Sequence, residues 1–151
     1  MDSIDRNLIN LIQDQFPIHT RPFAWIGRLL GIDEAEVLRR LERLMQADIV
    51  RRIGAVFSAE HAGLVSTLVA LRIVEIDQLE EIARTINAFP EVTHNYQRDH
   101  YYNVWFTITA PNEERLKHII EIVAKIPGVS EIAEFPQVKT FKIDARFRIH
   151  E

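Results

Sequence analysis

Cysteine is absent from the 151 residues. That excludes disulfides, thiolate nucleophiles, iron–sulfur ligation and the usual zinc sites, and it fits a cytoplasmic protein. No apolar run reaches the roughly 18 residues that a membrane span requires. The opening "MDSIDRNLIN" is acidic and lacks the apolar region of a signal peptide. Positive charge is also scarce: 18 Lys and Arg face 22 Asp and Glu, a net charge of -4. Proteins that live on nucleic acid carry a basic surplus, so DNA is not the expected partner. No low-complexity linker interrupts the chain.

The remaining composition is an ordinary globular balance, 47% hydrophobic and 26% charged. The length suits one large domain or two small ones. Ile4, Leu8, Ile9, Leu11 and Ile12 recur at helical spacing after an Asp2 or Ser3 cap. The prolines of "FPIHTRP" break that helix. Phe23, Ile26, Leu29 and Leu30 predict a second helix, stopped by Gly31. Asp33 caps a third, with the stripe Val37, Leu38, Leu41, Leu44 and Met45. "DIVRRIGAVFS", residues 48–58, is expected to form a small β-ribbon. Three helices and a ribbon outline a winged helix-turn-helix over residues 1–60.

Residues 61–151 change character. "LVSTLVALRIVE" is β-branched and strand-like. "DQLEEIARTINAF" and "NEERLKHIIEIVAKI" are amphipathic helices. "NAFPEVTHN" and "AKIPGVSEI" echo each other as helix end, proline, turn and Val-led strand. The order is strand–helix–strand twice, a ferredoxin-like βαββαβ domain, so the fold class is α+β. "VKTFKIDARFRI" is expected to add a final strand.

"VTHNYQRDHYYNVWFT", Val92–Thr107, reads as a hairpin. A tight turn at Asp99 and His100 sets Tyr96 opposite Asn103 and His94 opposite Trp105. His94, Tyr96, Arg98, Tyr101, Asn103 and Trp105 then share one face, with Val104, Phe106 and Ile108 on the other. Helices cover only one side of a ferredoxin-like sheet, so the His/Tyr/Arg face is expected to be open. Singly, each of these residues is an ordinary hydrogen-bonded or solvated side chain. Together, ionisable groups among aromatics point to a planar ligand bearing acidic groups.

The segments "RRIGAVFS", "VTHNYQRDHYYNVWFT" and "FPIHTRPFAWIGRLLG" resemble the sirohaem decarboxylase family, relatives of the leucine-responsive Lrp/AsnC regulators. The resemblance implies removal of carbon dioxide from two acetate side chains of sirohaem, giving 12,18-didecarboxysirohaem for haem biosynthesis. It implies no redox step and no added cofactor, since the iron belongs to the substrate. It also implies a paralogous subunit as heterodimer partner, or a homodimer. The residues suit this chemistry. Arg98 can grip a carboxylate in bidentate fashion, and His94 and His100 are the acid/base candidates. Tyr96, Tyr102, Asn103 and Trp105 are expected to contact the macrocycle. Arg51 and Arg52 either hold further carboxylates or are a solvated strand pair. His19 and His61 are taken as structural or surface residues. No resident metal site is expected, and a histidine ligand to the substrate's iron stays open.

A DNA-binding regulator is the rival from another class. "GIDEAEVLRRLERL" would be its recognition helix, with Arg39, Arg40 and Arg43 for phosphates. Asp33, Glu34 and Glu36 at its start would repel them. A tetrapyrrole-binding partner subunit without catalysis is the third reading.

Overall fold

The computed structural model describes residues 1–144 and 146–150. Their contacts define two units. Met1–Ala55 and the tail beginning at Lys142 form one, and Val56–Phe141 the other. The tail expected to complete the second domain is thus grouped with the first.

In the first unit, α1 is Ser3–Asp14, α2 Pro22–Leu30 and α3 Glu34–Gln46. α1 and α3 begin where a side chain accepts from an exposed amide, and α2 at a proline. Asp2 and Asp5 form a reciprocal capping box, with the Asp5 amide donating to Asp2 at 2.8 Å and the Asp2 amide to Asp5 at 3.0 Å. Pro22 opens α2, where its missing N–H costs no helical bond. Gly31 closes it in the left-handed conformation at φ 70°. Asp33 accepts from the Glu36 amide at 2.7 Å and starts α3. Leu8, Ile9, Ile26, Val37, Leu41, Leu44 and Val50 form the shared core. Gly27 lies so close to the turn after α2 that a Cβ would stand 2.6 Å from the Ile32 carbonyl oxygen.

Two expected β elements are absent from the described residues. Residues 51–58 contain no strand, so there is no wing ribbon. Val50, Ile53 and Val56 are three apart, a spacing that cannot line one face of a strand of period two. Among residues 138–144 and 146–149 of the expected final strand there is likewise none; Ala145 lies outside the described residues. Side-chain amides of α1 replace the missing strand partner. Asn10 accepts from the Ile149 amide and donates to its carbonyl, both at 3.0 Å. Gln13 does the same to Phe147 at 2.9 and 3.1 Å.

The second unit runs β1 (Val65–Ile73), a 3-10 turn (Ile76–Gln78), α4 (Leu79–Asn87), β2 (Val92–Gln97), β3 (Val104–Ala110), α5 (Glu113–Ala124) and β4 (Val129–Pro136). The expected ferredoxin-like order is present. The sheet is antiparallel in the order β2-β3-β1-β4. Burial alternates along β3, because Val104, Phe106, Ile108 and Ala110 face the helices. They meet Val69, Leu71 and Ile73 of β1, Leu79, Ile82 and Ile86 of α4, and Leu116, Ile119 and Val123 of α5. Burying a side chain such as Phe106 contributes about 1.5–3 kcal/mol relative to exposure. This packing holds the intervening residues on the opposite face.

Candidate functional site

The open face is set by register. Tyr96 pairs with Trp105 and His94 with Thr107. Trp105 in turn pairs with Ala70, and Ala70 with Ala133. Leu68 pairs with both Thr107 and Phe135, and Arg72 with Glu131. His94, Tyr96, Trp105, Leu68, Arg72, Glu131 and Phe135 therefore share the side of the sheet away from α4 and α5. Tyr96 remains 53% exposed and Phe135 43%, a large apolar offering for one sheet face.

The expected pairing of Tyr96 with Asn103 is corrected by two positions, and the tight turn by a longer loop. Residues 98–103 leave the ladder, closed by a 2.9 Å bond from the Arg98 amide to the Asn103 carbonyl. The cause is Asn103. It is buried, 5% exposed, and its amide donates to the Ile73 carbonyl at 2.8 Å and accepts from the Ile73 amide at 2.9 Å. Its backbone amide donates to Leu71. The side chain thus acts as one more peptide unit at the end of the β1–β3 ladder. Asn103 is accordingly a structural clamp, with its side-chain oxygen and nitrogen both engaged by Ile73.

The loop gathers aromatics around Trp105. Phe135 stacks on it at 5.3 Å, and the Tyr102 and His100 rings meet it edge-on at 6.4 and 6.0 Å. The indole N–H donates to the Tyr102 carbonyl at 2.7 Å, which fixes the ring's orientation. His94 stacks on Tyr96 at 6.2 Å. The Tyr102 amide donates to Nδ1 of His100 at 3.2 Å, so the neutral ring carries its proton on Nε2. Arg98, His100 and Asn103 line one cleft beside Arg72, Ile76, Gln97 and Asp99. Tyr101 donates to Glu131, and that carboxylate, with some burial, pushes the phenol above its ordinary value.

The structure brings together His94, Tyr96, Tyr102 and Trp105 with the loop residues Arg98 and His100. Arg51 and Arg52 belong to the other unit, exposed on a segment without a strand. Phe135, Arg72 and Glu131 are additions the sequence reading missed. Alternation within "VSEIAEF" places Glu131, Ala133 and Phe135 on one face, but only the β1–β4 register shows which face that is.

The supposed recognition helix is occupied by its own protein. Arg40 contacts Asp2 at 2.8 Å, Asp5 at 2.7 Å and Glu36 at 2.6 Å. Arg43 contacts Asp5 at 2.7 Å, and Arg39 pairs with Glu36.

A helix-turn-helix unit followed by a ferredoxin-like sheet defines the AsnC-type class of two-part proteins. The leucine response regulatory protein of Mycobacterium tuberculosis superposes with a TM-score of 0.81 over 99% of this chain and 100% of its own, at 17% identity, a likeness of fold alone. Residues 61–142 match the model of the AsnC-like ligand binding domain, and residues 5–51 that of the siroheme decarboxylase NirDL-like HTH domain. The siroheme decarboxylase alpha subunit of Desulfovibrio desulfuricans is 43% identical over 149 residues, 99% of this chain and 85% of the relative. The siroheme decarboxylase NirD subunit of Pseudomonas aeruginosa is 37% identical over 97% of this chain and 96% of its own. The crystal structure of the siroheme decarboxylase NirDL in co-complex with an iron-uroporphyrin III analogue matches with a TM-score of 0.68 at 31% identity, over 93% of this chain and 47% of that one. The chain belongs to the siroheme decarboxylase family.

Proposed function

We propose that this chain is a subunit of a siroheme decarboxylase, a carboxy-lyase that removes carbon dioxide from two acetate side chains of sirohaem to give 12,18-didecarboxysirohaem. The open sheet face carries the reading. It offers Tyr96, Trp105 and Phe135 to a flat macrocycle, with histidines and arginines at its edge for carboxylates.

The reaction breaks the bond between the acetate methylene and its ionised carboxylate. The electron pair left behind delocalises into the macrocycle, so no added cofactor is invoked. A proton then completes the methyl group. Arg98 orients a carboxylate through charge-assisted hydrogen bonds. His94 and His100 are the residues proposed to hold and deliver the proton; His100 can do so as an imidazolium only when its Nδ1 is released from the Tyr102 amide. Tyr96, Tyr102 and Trp105 support the ring. The partner is a related subunit, as heterodimer, or a second copy, and the setting is the cytoplasm.

The test is anaerobic incubation of the purified chain with sirohaem, alone and with its paralogue, followed by product mass. Loss of carbon dioxide supports the reading. A spectral shift on binding, without product in either mixture, would reduce the chain to a tetrapyrrole-binding subunit.

A further inference from the structure

Arg72 and Glu131 are direct cross-strand neighbours on the open face. Opposite charges in that position ordinarily pair. Here they do not. Glu131 takes the Tyr101 hydroxyl instead. Arg72 donates once, from Nη1 to the Tyr101 carbonyl at 3.1 Å, and lays its guanidinium over the Tyr101 ring, 5.2 Å from the centroid. That leaves most of its donors without a protein partner among the described residues.

Arg72 also lines the cleft shared by Gln97, Arg98, Asp99 and His100. Arg72 and Arg98 both line that cleft, and Asp99 is the one carboxylate among its lining residues. The Tyr101 carbonyl and ring together restrain the Arg72 guanidinium, which reduces the entropy lost when it grips a carboxylate. An arginine restrained by one residue, not paired with its cross-strand carboxylate and lining a cleft with a second arginine is arranged for an anion from outside.

We propose that Arg72 binds a carboxylate side chain of the tetrapyrrole beside Arg98, and that Tyr101 keeps Arg72 available by holding Glu131 away from it. The inference rests on the tetrapyrrole reading above. It makes Arg72 a substrate-binding residue, and Tyr101 and Glu131 positioning residues that act through it.

The experiment titrates iron-uroporphyrin III into the full chain assembled with its related subunit and follows the absorbance of the macrocycle. Arg72→Ala is expected to weaken binding on the order of 10–100-fold, the effect of losing hydrogen bonds to a charged group, and Arg72→Lys to recover part of it. Tyr101→Phe releases Glu131 to pair with Arg72 and is expected to weaken binding about two- to fivefold. Adding Glu131→Gln to Tyr101→Phe removes the competing carboxylate and restores wild-type affinity. A merely structural Tyr101–Glu131 bond gives the opposite pattern, with the double variant no better than the single one. That pattern, or an Arg72→Ala variant that binds within about twofold of wild type, overturns the inference while the functional reading stands. A wild-type assembly that does not bind iron-uroporphyrin III removes both.

Discussion

His100 has one ring nitrogen turned back on its own loop and the other without a partner among the described residues, whereas His94 leans on the Tyr96 ring and on the Thr93 hydroxyl at 3.1 Å. Both side chains are exposed, so replacing either leaves the core intact. Loss of a general acid typically costs about 10²–10⁴-fold in rate. Single-turnover decarboxylation by His94→Ala and His100→Ala should slow by that order, with the spectrum of the bound sirohaem largely kept. Arg98→Ala should instead weaken binding. If both histidine variants keep wild-type rates in the assembled pair, the proton is supplied by the other subunit. Asn103→Ala is a different kind of change. It strands the Ile73 amide and carbonyl, at about 1–3 kcal/mol for each unsatisfied group. Urea denaturation should show that loss, accompanied by weaker tetrapyrrole binding, since the clamp places the 98–103 loop. His94, Tyr96 and Trp105 could be read onto one face from sequence because the true register differs from the expected one by two positions, and an even shift preserves the face. The loop could not be read, because Asn103 is held by a residue thirty positions away in another strand.

At the scale of elements, α1 and α3 are joined by carboxylates and guanidinium groups rather than by core residues alone. The hydrogen bond from Arg40, aided by the Asp5 amide, holds the Asp2 carboxyl at about 2 against an ordinary 3.8. Burial pushes Asp5 up, but the Asp2 amide, Arg40 and Arg43 outweigh it and hold it below its ordinary value. Arg39 and then Arg40 lower Glu36 against its partial burial. A carboxyl depressed in the folded state contributes stability above its unfolded value and loses it as pH falls through the folded one. The first unit should therefore weaken as pH drops from about 4 toward 2, read by circular dichroism melts across that range. Arg40→Ala should be less stable at neutral pH and show a flatter acid limb. The three helices were legible because the cap residues Asp2 and Asp33 and the stop at Gly31 are local signals. The ribbon and last strand were misread because apolar residues in an extended segment do not by themselves supply a pairing edge. Phe135 and Arg72 escaped because their place at the site depends on strand order, which local pattern does not encode.

For the whole molecule, a sheet face exposing Leu68, Tyr96 and Phe135 calls for a cover. Light scattering should find at least a dimer, alone or after mixing with the related subunit. A stable monomer in both samples would remove that expectation. Specific DNA binding should be absent in anisotropy titrations at physiological salt, because Arg39, Arg40 and Arg43 are already neutralised within the chain and the net charge is -4.

The tail contacts with α1 alter how the chain carries load. The chain leaves the first unit after Ala55 and returns to it at Lys142, so the whole sheet is an insertion within a closed circuit. The circuit is latched by Asn10 on Ile149 and Gln13 on Phe147. Tension applied near Ser3 and His150 would fall first on that latch, and the strands bearing His94 and Trp105 would stay slack until it parted. The sheet is thereby mechanically shielded from a pull between Ser3 and His150, at the cost of making the latch and the first unit the weak link.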